Sequence, residues 1–172
     1  MPSSGIVNGG RVLDTSALIG WPIEMIRGGF VIEQQRREIE RVAPEKLVIL
    51  DALDLKWSAP NSDSIQKARD IAIDSGDILG ISEVDLHLLA LAMEKGTSLV
   101  TDDYRLQNLC NLAGLGWLAV STKGIESTWT WEIRCTGCGA SVKSEHTDTR
   151  ALETDLGECR DCGSSLKIAR RK

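Results

Sequence analysis

The 172-residue sequence contains no apolar run that approaches the ~20 residues needed to span a bilayer, which argues against a helical membrane protein. Its first ten residues lack the basic and apolar regions of a secretory signal, so we expect a flexible leader at 1–10 and a cytoplasmic protein. Positive charge is not in excess either, since 20 Lys and Arg face 25 Asp and Glu, for a formal net charge of −5. That balance argues against a simple polyanion-binding module. Internal repeats and low-complexity tracts are also missing.

The two parts of the chain differ in charge. Residues 123–172 carry nine basic and eight acidic side chains, whereas residues 1–122 carry eleven basic and seventeen acidic ones. The last six residues, Lys-Ile-Ala-Arg-Arg-Lys, form a small basic tail. An acidic body that tolerates its own repulsion is compatible with carboxylates kept for a metal ion, and the tail is compatible with phosphate contacts. On charge alone, a solvated surface with a random tail explains the pattern equally well.

Short apolar segments alternate with helix-like segments from residue 11 to about residue 122. Predicted strands lie at 11–14, 55–59, 97–101 and 115–120, and predicted helices lie at 30–42, 64–75, 82–95 and 104–113, with a short helix after residue 46. Strands and helices in alternation favour an α/β sandwich around a mostly parallel central sheet. We therefore predict one such domain at 11–122, a linker at 123–128 and a second, smaller domain at 129–172.

Four of the five cysteines form two C-x-x-C pairs in the smaller domain, Cys135/Cys138 and Cys159/Cys162, separated by twenty residues. Each pair aims two thiolates at one point, and the glycine that follows it permits the positive φ of a tight turn. Four thiolates at one point match the tetrahedral preference of zinc. Disulfides are the alternative, but nothing indicates secretion, and a redox motif needs only one pair. We predict a C-terminal zinc ribbon with one structural zinc ion, and rubredoxin-like iron as the alternative metal.

Aspartates follow two of the predicted strands. Asp14 comes after Val12-Leu13, and the adjacent Asp102 and Asp103 come after Leu99-Val-Thr101. Residues just past the carboxyl ends of parallel strands line the ligand crevice of an open α/β sheet. Each of these aspartates would also serve as an ordinary helix cap.

A third aspartate, Asp85, lies at the start of the predicted helix 82–95, where the segment Ser-Glu-Val-Asp resembles a capping box. Helical spacing places Asp85 on the same face as Leu88 and Leu89. A carboxylate on an apolar face is costly unless a cation satisfies it. We therefore take Asp85 as a candidate site residue and His87 as a surface residue.

These positions predict an acidic cluster of Asp14, Asp85 and Asp102 for a magnesium or manganese ion, because both ions prefer carboxylate and water oxygens. Two such ions ~3.5–4 Å apart activate water and stabilise the leaving oxygen in phosphodiester hydrolysis. The adjacent Asp103 is either a further ligand or the start of the next helix, where its charge suits the helix dipole.

Three segments carry a resemblance to a known family: Val12-Leu-Asp-Thr-Ser-Ala-Leu18, Ile81-Ser-Glu-Val-Asp-Leu86 and Val100-Thr-Asp-Asp-Tyr104. Together they resemble PIN-domain ribonucleases. With the zinc ribbon behind them, the chain resembles the archaeal Nob-type endonucleases of small-subunit ribosome maturation. The resemblance spans about residues 11–170 and implies a PIN-like sandwich followed by the ribbon.

The resemblance also implies a site. Asp14, Asp85 and Asp102 match the metal-binding aspartates of the family, with Asp103 beside them as a further catalytic carboxylate. A catalytic glutamate early in the second helix falls on Glu33, although two glycines replace the usual Thr-Pro entry to that helix. Apart from the resemblance, the sequence does not separate Glu33 from Glu24, Glu38 or Glu40.

The implied reaction is endonucleolytic cleavage of precursor rRNA near the 3′ end of the small-subunit RNA, in a pre-ribosomal particle with assembly factors as further partners. Neither DNA nor a membrane is implied. RNA would be held by phosphate contacts and base stacking. The candidate RNA-binding residues are Arg105, Lys123, Lys143, Arg170 and Arg171. Trp129 and Trp131 share a strand face and either stack on bases or pack between the two domains.

Two other functions compete with this one. A VapC-like toxin ribonuclease would share the first domain, but such toxins usually lack a zinc ribbon. A non-catalytic zinc-ribbon RNA-binding assembly factor would use the aspartates only as helix caps.

Overall fold

The computed structural model describes residues 10–121, 124–125, 127–142 and 156–171. Within these residues the larger part is built on a five-stranded parallel sheet with the order β3-β2-β1-β4-β5. Its strands are β1 (Val12–Leu13), β2 (Phe30–Val31), β3 (Lys56–Trp57), β4 (Leu99–Val100) and β5 (Trp117–Leu118). Val12 pairs with Phe30 on one side and with Leu99 on the other, so β1 is the central strand.

Helices cover both faces of the sheet. They are α1 (Thr15–Gly20), α2 (Ile23–Ile26), α3 (Gln35–Val42), α4 (Pro44–Asp51), α5 (Ser62–Ser75), α6 (Glu83–Lys95) and α7 (Tyr104–Leu112), with a 3₁₀ turn at Asp77–Leu79. Neighbouring residues of a strand point to opposite faces. Val12 and Leu99 therefore join the apolar cluster that contains α5, α6 and α7, whereas Leu13 and Val100 join the cluster that contains α1, α3 and α4. The predicted α/β sandwich with a parallel sheet is confirmed.

The predicted helix at 30–42 is wrong over its first part. Phe30–Val31 form β2, between β1 and β3, and α3 begins only at Gln35. The Gln35 side chain secures the turn, since its Oε1 accepts a hydrogen bond from Ile32 N (3.0 Å) and its Nε2 donates one to Leu13 O (2.9 Å). Short apolar runs are ambiguous because periodicity alone does not separate a buried strand from the start of a buried helix.

The smaller part is an antiparallel sheet with the order β7-β6-β8, formed by β6 (Trp131–Cys135), β7 (Ser141–Val142) and β8 (Leu166–Arg170). Ile133 of β6 is buried in the same apolar cluster as α5, α6 and α7. Gly76 ends α5 with a φ of +79°, and a Cβ at this position would lie 2.1 Å from the carbonyl oxygen of Trp131. The small sheet therefore packs directly on α5 and shares the core of the larger part.

The domain limits drawn from the sequence stay predictions. Residues 1–9 of the leader, 122, 123 and 126 around the linker, and 143–155 and 172 of the smaller domain lie outside the described residues. None of the helices in the described ranges combines the length and the apolar character that a bilayer crossing requires.

Candidate active site and metal centre

Asp14 lies directly after β1, at the edge of the sheet where the parallel strands end. Its backbone N–H donates to Val100 O (3.0 Å), which places it beside the end of β4. Its carboxylate is 8% exposed and accepts hydrogen bonds from Thr15 N (2.5 Å), Ser16 Oγ (3.1 Å) and Thr101 Oγ1 (2.7 Å). Burial raises the pKa of Asp14, against the opposing effect of these hydrogen bonds. The carboxylate is thus held in one orientation, and its burial makes the charged form less favourable than it would be in water.

The Thr101 hydroxyl joins Asp14 to Asp103. Thr101 Oγ1 donates to Asp14 and accepts a hydrogen bond from Asp103 N (3.0 Å). The Asp103 carboxylate caps α7, since its Oδ1 accepts from Arg105 N (2.7 Å) and from Leu106 N (3.3 Å). One buried hydroxyl therefore fixes the spacing between the aspartate of β1 and the aspartate that follows β4.

Asp85 approaches the same space from the start of α6. The predicted capping box is present, because Ser82 Oγ donates to Asp85 Oδ2 (2.6 Å) and accepts from Asp85 N (3.1 Å). Burial, opposed by the Ser82 hydrogen bond and reinforced by the negative charges of Asp14 and Asp103, raises the pKa of Asp85 to about 6. Three carboxylates from three different elements therefore repel one another at this edge of the sheet.

Asp102, predicted as the third metal ligand, is directed elsewhere. Its Oδ1 accepts hydrogen bonds from Val120 N (2.7 Å) and Ser121 N (3.1 Å), and its Oδ2 accepts from Ser121 Oγ (2.7 Å). The carboxylate thus anchors the chain that follows β5. Successive side chains of an extended segment point to opposite sides, so Asp103, two residues after Thr101, shares the side of Thr101, and Asp102 does not.

The predicted catalytic residue Glu33 lies on the surface. Its side chain is 71% exposed and forms an ion pair with Arg36 Nε (2.7 Å). Arg36 in turn pairs with Asp51 and stacks on Trp57, so Glu33 belongs to a surface group of charges around α3 and α4.

Glu38 is the glutamate that the structure connects to Asp14. Glu38 Oε2 accepts a hydrogen bond from Thr15 Oγ1 (2.7 Å), and Thr15 N holds the Asp14 carboxylate. The sequence does hold a feature that points to Glu38. Once residues 30–31 are recognised as a strand, α3 starts at Gln35 and Glu38 is the acidic residue of its first turn.

The chemistry of the acidic cluster fits a divalent cation. Among the described residues, no Lys or Arg forms an ion pair with Asp14, Asp85 or Asp103, so no side-chain cation in that part of the chain offsets their charge. Mg²⁺ keeps several of its water ligands, so such an ion does not need all three carboxylates as direct ligands.

The four cysteines of the ribbon converge. The Sγ atoms of Cys135 and Cys162 are 3.4 Å apart, and those of Cys138 and Cys159 are 3.7 Å apart. Four sulfurs at 2.3 Å from a tetrahedral zinc ion would lie about 3.8 Å from one another. Gly137 N (3.3 Å) and Cys138 N (3.4 Å) donate to Cys135 Sγ, as second-layer donors do in thiolate metal sites. The cluster can hold a metal ion such as zinc.

Comparisons with known proteins decide the family. Residues 12–94 match the family described as PIN domain of ribonuclease. The chain is 31% identical to endoribonuclease Nob1 of Methanothermobacter thermautotrophicus and 30% identical to endoribonuclease Nob1 of Pyrococcus abyssi, and each alignment covers 94% of both proteins. The chain belongs to the Nob1 endoribonuclease family. It is also 31% identical to ribonuclease VapC1 of Thermoplasma acidophilum, but over 74% of this chain and 66% of VapC1.

Three of the cations predicted to bind RNA in this Nob1 family member are described, and all three contact the protein itself. The Arg105 guanidinium lies over the Trp131 ring (5.6 Å to the centroid) and packs on Gly80, where a Cβ would be 2.2 Å from Arg105 Cζ. The other two contact the smaller sheet and the segment before it: Arg170 lies over the Trp129 ring at 4.5 Å, and Arg171 Nε is 3.9 Å from a Glu132 carboxylate oxygen. Lys123 and Lys143 fall outside the described residues.

Trp129 and Trp131 pack edge to face, with ring centroids 5.7 Å apart. They lie where the ribbon meets α7: Asn108 Nδ2 donates to Trp129 O (2.7 Å) and to Asp77 Oδ2 (2.7 Å), and Trp129 N donates to Asn108 Oδ1 (2.6 Å). Burial raises the pKa of Asp77, against hydrogen bonds from Ser75 and Asn108. Packing between the two parts is thus one role of these tryptophans.

Proposed function

We propose that this protein is a divalent-metal-dependent endoribonuclease that cleaves precursor rRNA near the 3′ end of the small-subunit RNA, in the cytoplasm and within a pre-ribosomal particle. The observation that carries the proposal is the meeting of Asp14, Asp85 and Asp103 at the carboxyl edge of the sheet, with Thr101 between two of them. Relatives named endoribonuclease Nob1 that match along 94% of their length, ribbon included, support the substrate.

Asp14, Asp85 and Asp103 are the residues that would hold magnesium or manganese, and Glu38 would support them through Thr15. The bound ion would supply an activated water and would offset negative charge on the cleaved phosphate. The protein's own contribution is orientation. Thr101 and Ser16 fix Asp14, Ser82 fixes Asp85, and the first turn of α7 fixes Asp103. Because none of these carboxylates needs to rotate into place, little reorganisation is left for the reaction itself.

The role proposed for the ribbon is structural. One zinc ion at Cys135, Cys138, Cys159 and Cys162 would hold the turns between β6, β7 and β8. A segment with few core residues of its own depends on the metal for its folding energy.

The VapC-like toxin is the second candidate, and the match to VapC1 favours it. Against it stand the four converging cysteines and the longer coverage of the Nob1 relatives. The non-catalytic assembly factor is opposed by the repulsion in the cluster, since carboxylates that served only as caps would not need to lie near enough to raise one another's pKa.

The experiment is a cleavage assay with a labelled RNA that spans the precursor small-subunit 3′ end, beside a scrambled RNA of equal length. Reactions contain manganese or no added divalent ion, and no chelator, because a chelator would also remove zinc. The matched pair of variants is Asp103→Asn and Asp102→Asn. Cutting at one position that needs manganese and is lost only in Asp103→Asn would support the proposal in full.

Other outcomes point elsewhere. Equal cutting of both RNAs would favour a less specific nuclease of the VapC type. RNA binding without any cutting, unchanged by Asp103→Asn, would favour the assembly factor.

A further inference from the structure

A cavity of about 220 Å³ opens between α7 and the segment that leads into β6. Three aromatic rings line it: Tyr104 from the first turn of α7, and Trp129 and Trp131 from the ribbon. Tyr104 is 55% exposed and Trp129 is 41% exposed, so both rings are open to solvent. With five Trp, one Tyr and one Phe in the whole chain, three aromatic side chains at one opening are a concentration of flat apolar surface.

The frame of the cavity is rigid. Asn108 is held on one side by Asp77 and on the other by the backbone of Trp129, and the two tryptophans brace each other edge to face. Arg105 supports the inner wall, because its guanidinium packs on Gly80 and over the Trp131 ring, and its charge acts on the buried Asp77 carboxylate.

The cavity adjoins the acidic cluster. Arg105 lines the cavity with its side chain, while its backbone N–H donates to the Asp103 carboxylate (2.7 Å). The Arg105 guanidinium packs against Gly80, two residues before Ser82, which caps α6 together with Asp85. The wall of the cavity and two of the three carboxylates are therefore carried by the same short segments.

Positive charge lies at the opening, although the protein as a whole is acidic. Arg170 stacks over the outer tryptophan, Trp129, with its guanidinium 4.5 Å from the ring centroid. Aromatic faces flanked by arginines are the usual means of holding single-stranded nucleic acid, since every base offers a π face and every linkage a phosphate.

We propose that this cavity binds one unpaired nucleobase of the RNA, next to the phosphate that is cut. The base stacks between Tyr104 and Trp129, and Arg170 lies beside a flanking phosphate. The proposal rests on the proposed function, because the ligand is part of the same RNA. It makes the junction between the two parts of the protein a substrate-positioning element.

The test measures binding of a fluorescein-labelled single-stranded RNA dodecamer by anisotropy, without added divalent ion so that the RNA stays intact. A second dodecamer has the same backbone with one abasic ribose in the middle of the site. The variants are Tyr104→Ala and Trp129→Ala, with Tyr104→Phe and Trp129→Phe as versions that keep a ring. Val48→Ala, at a residue of α4 that is 76% exposed, is the control for a lost surface side chain.

Loss of one stacking contact costs about tenfold in affinity. We expect each Ala variant to bind intact RNA about tenfold more weakly, while both Phe variants and Val48→Ala stay within twofold of wild type. The abasic RNA should bind wild type about tenfold more weakly and should bind Trp129→Ala no more weakly than intact RNA does. Unchanged thermal unfolding of the variants would show that the losses come from the contact.

Other outcomes overturn the proposal. If the Ala variants bind intact RNA as wild type does, or lose the same factor on both RNAs, no base enters the cavity. If either of these results is found while wild type still cuts the precursor with manganese, the nucleobase proposal fails and the proposed function stands. If wild type neither binds nor cuts RNA, both fail.

Discussion

Asp85 provides a prediction with an unusual sign: its removal should make the metal-free protein more stable. The folded protein raises the Asp85 pKa from 3.8 to about 6 through burial and through Asp14 and Asp103. The difference corresponds to about 3 kcal/mol, by which folding is penalised once the carboxylate is charged. The sign follows from proton binding. Between pH 3.8 and about 6 the folded state holds more protons than the unfolded state, so this contribution to stability falls as the pH rises.

The perturbation is Asp85→Asn, which keeps the shape and an acceptor oxygen for Ser82 but removes the charge. We allow about 1 kcal/mol for the weaker cap. At pH 8 the variant should then be about 2 kcal/mol more stable than wild type, and this gain should vanish near pH 4. The assay is urea unfolding at both pH values without divalent ions, with Asp63→Asn, at an exposed aspartate in the first turn of α5, as the control. Manganese should raise the stability of wild type more than that of the variant, because the ion offsets the same repulsion.

A variant that is less stable than wild type at pH 8, or a gain that is equal at both pH values, would refute this reasoning. The first result would mean that the capping box matters more than the repulsion. The second would mean that Asp85 stays charged over the whole range. Either result would remove the electrostatic support for a cation site at this edge of the sheet.

Three further predictions concern single side chains. Asp103→Asn should lower manganese-dependent cleavage about 100-fold or more, the usual loss when charge stabilisation at the reacting phosphate is removed. Asp102→Asn should lower manganese-dependent cleavage only a few fold. It should instead reduce the free energy of unfolding by about 1–2 kcal/mol, because the backbone amides of Val120 and Ser121 lose a charged acceptor. Equal losses of activity in the two variants would contradict the choice of Asp103 over Asp102 as the metal ligand. Glu38→Gln should lower the initial rate of cleavage about tenfold, as loss of a residue that supports a metal ligand does, whereas Glu33→Gln should lower it less than twofold. If Glu33→Gln gave the larger loss, Glu33 and not Glu38 would be the catalytic glutamate. Cys159→Ser should release the zinc ion, measured by metal analysis, and should lower the melting temperature of the whole protein, because β6 shares the core of α5–α7; an unchanged melting temperature would mean that the ribbon unfolds independently.

The sequence was sufficient where a local pattern has one physical meaning. Two C-x-x-C pairs indicate a four-thiolate site because few other arrangements need that spacing, and the four sulfurs do converge. The capping box at Ser82 could also be predicted, because a capping box is a local contact between residues three positions apart. The apolar face of the same helix also indicated that the Asp85 carboxylate points toward the protein interior, which agrees with its burial.

The sequence did not predict strand β2, because what makes these residues a strand is pairing with distant segments. Phe30–Val31 are followed by a helix rich in Glu, Gln and Arg, and a short apolar run before a helix continues the helical pattern as well as it begins a strand. Only pairing with β1 and β3 makes it a strand. The error moved the predicted start of α3, and with it the glutamate expected in the first turn of that helix.

The class of fold, the thiolate site and the presence of carboxylates at strand ends could be predicted from the sequence, because these features depend on composition, periodicity and short spacing. Tertiary structure decided which carboxylates meet. Asp102 and Asp103 are neighbours of equal charge. The pairing of β4 with β1 and β5 leaves the Asp102 carboxylate bonded to the chain after β5, whereas the Asp103 carboxylate caps α7 and acts on the charge of Asp14 and Asp85. A residue's side in an extended segment is fixed by the register of its strand, and register is set by partners far away in the sequence.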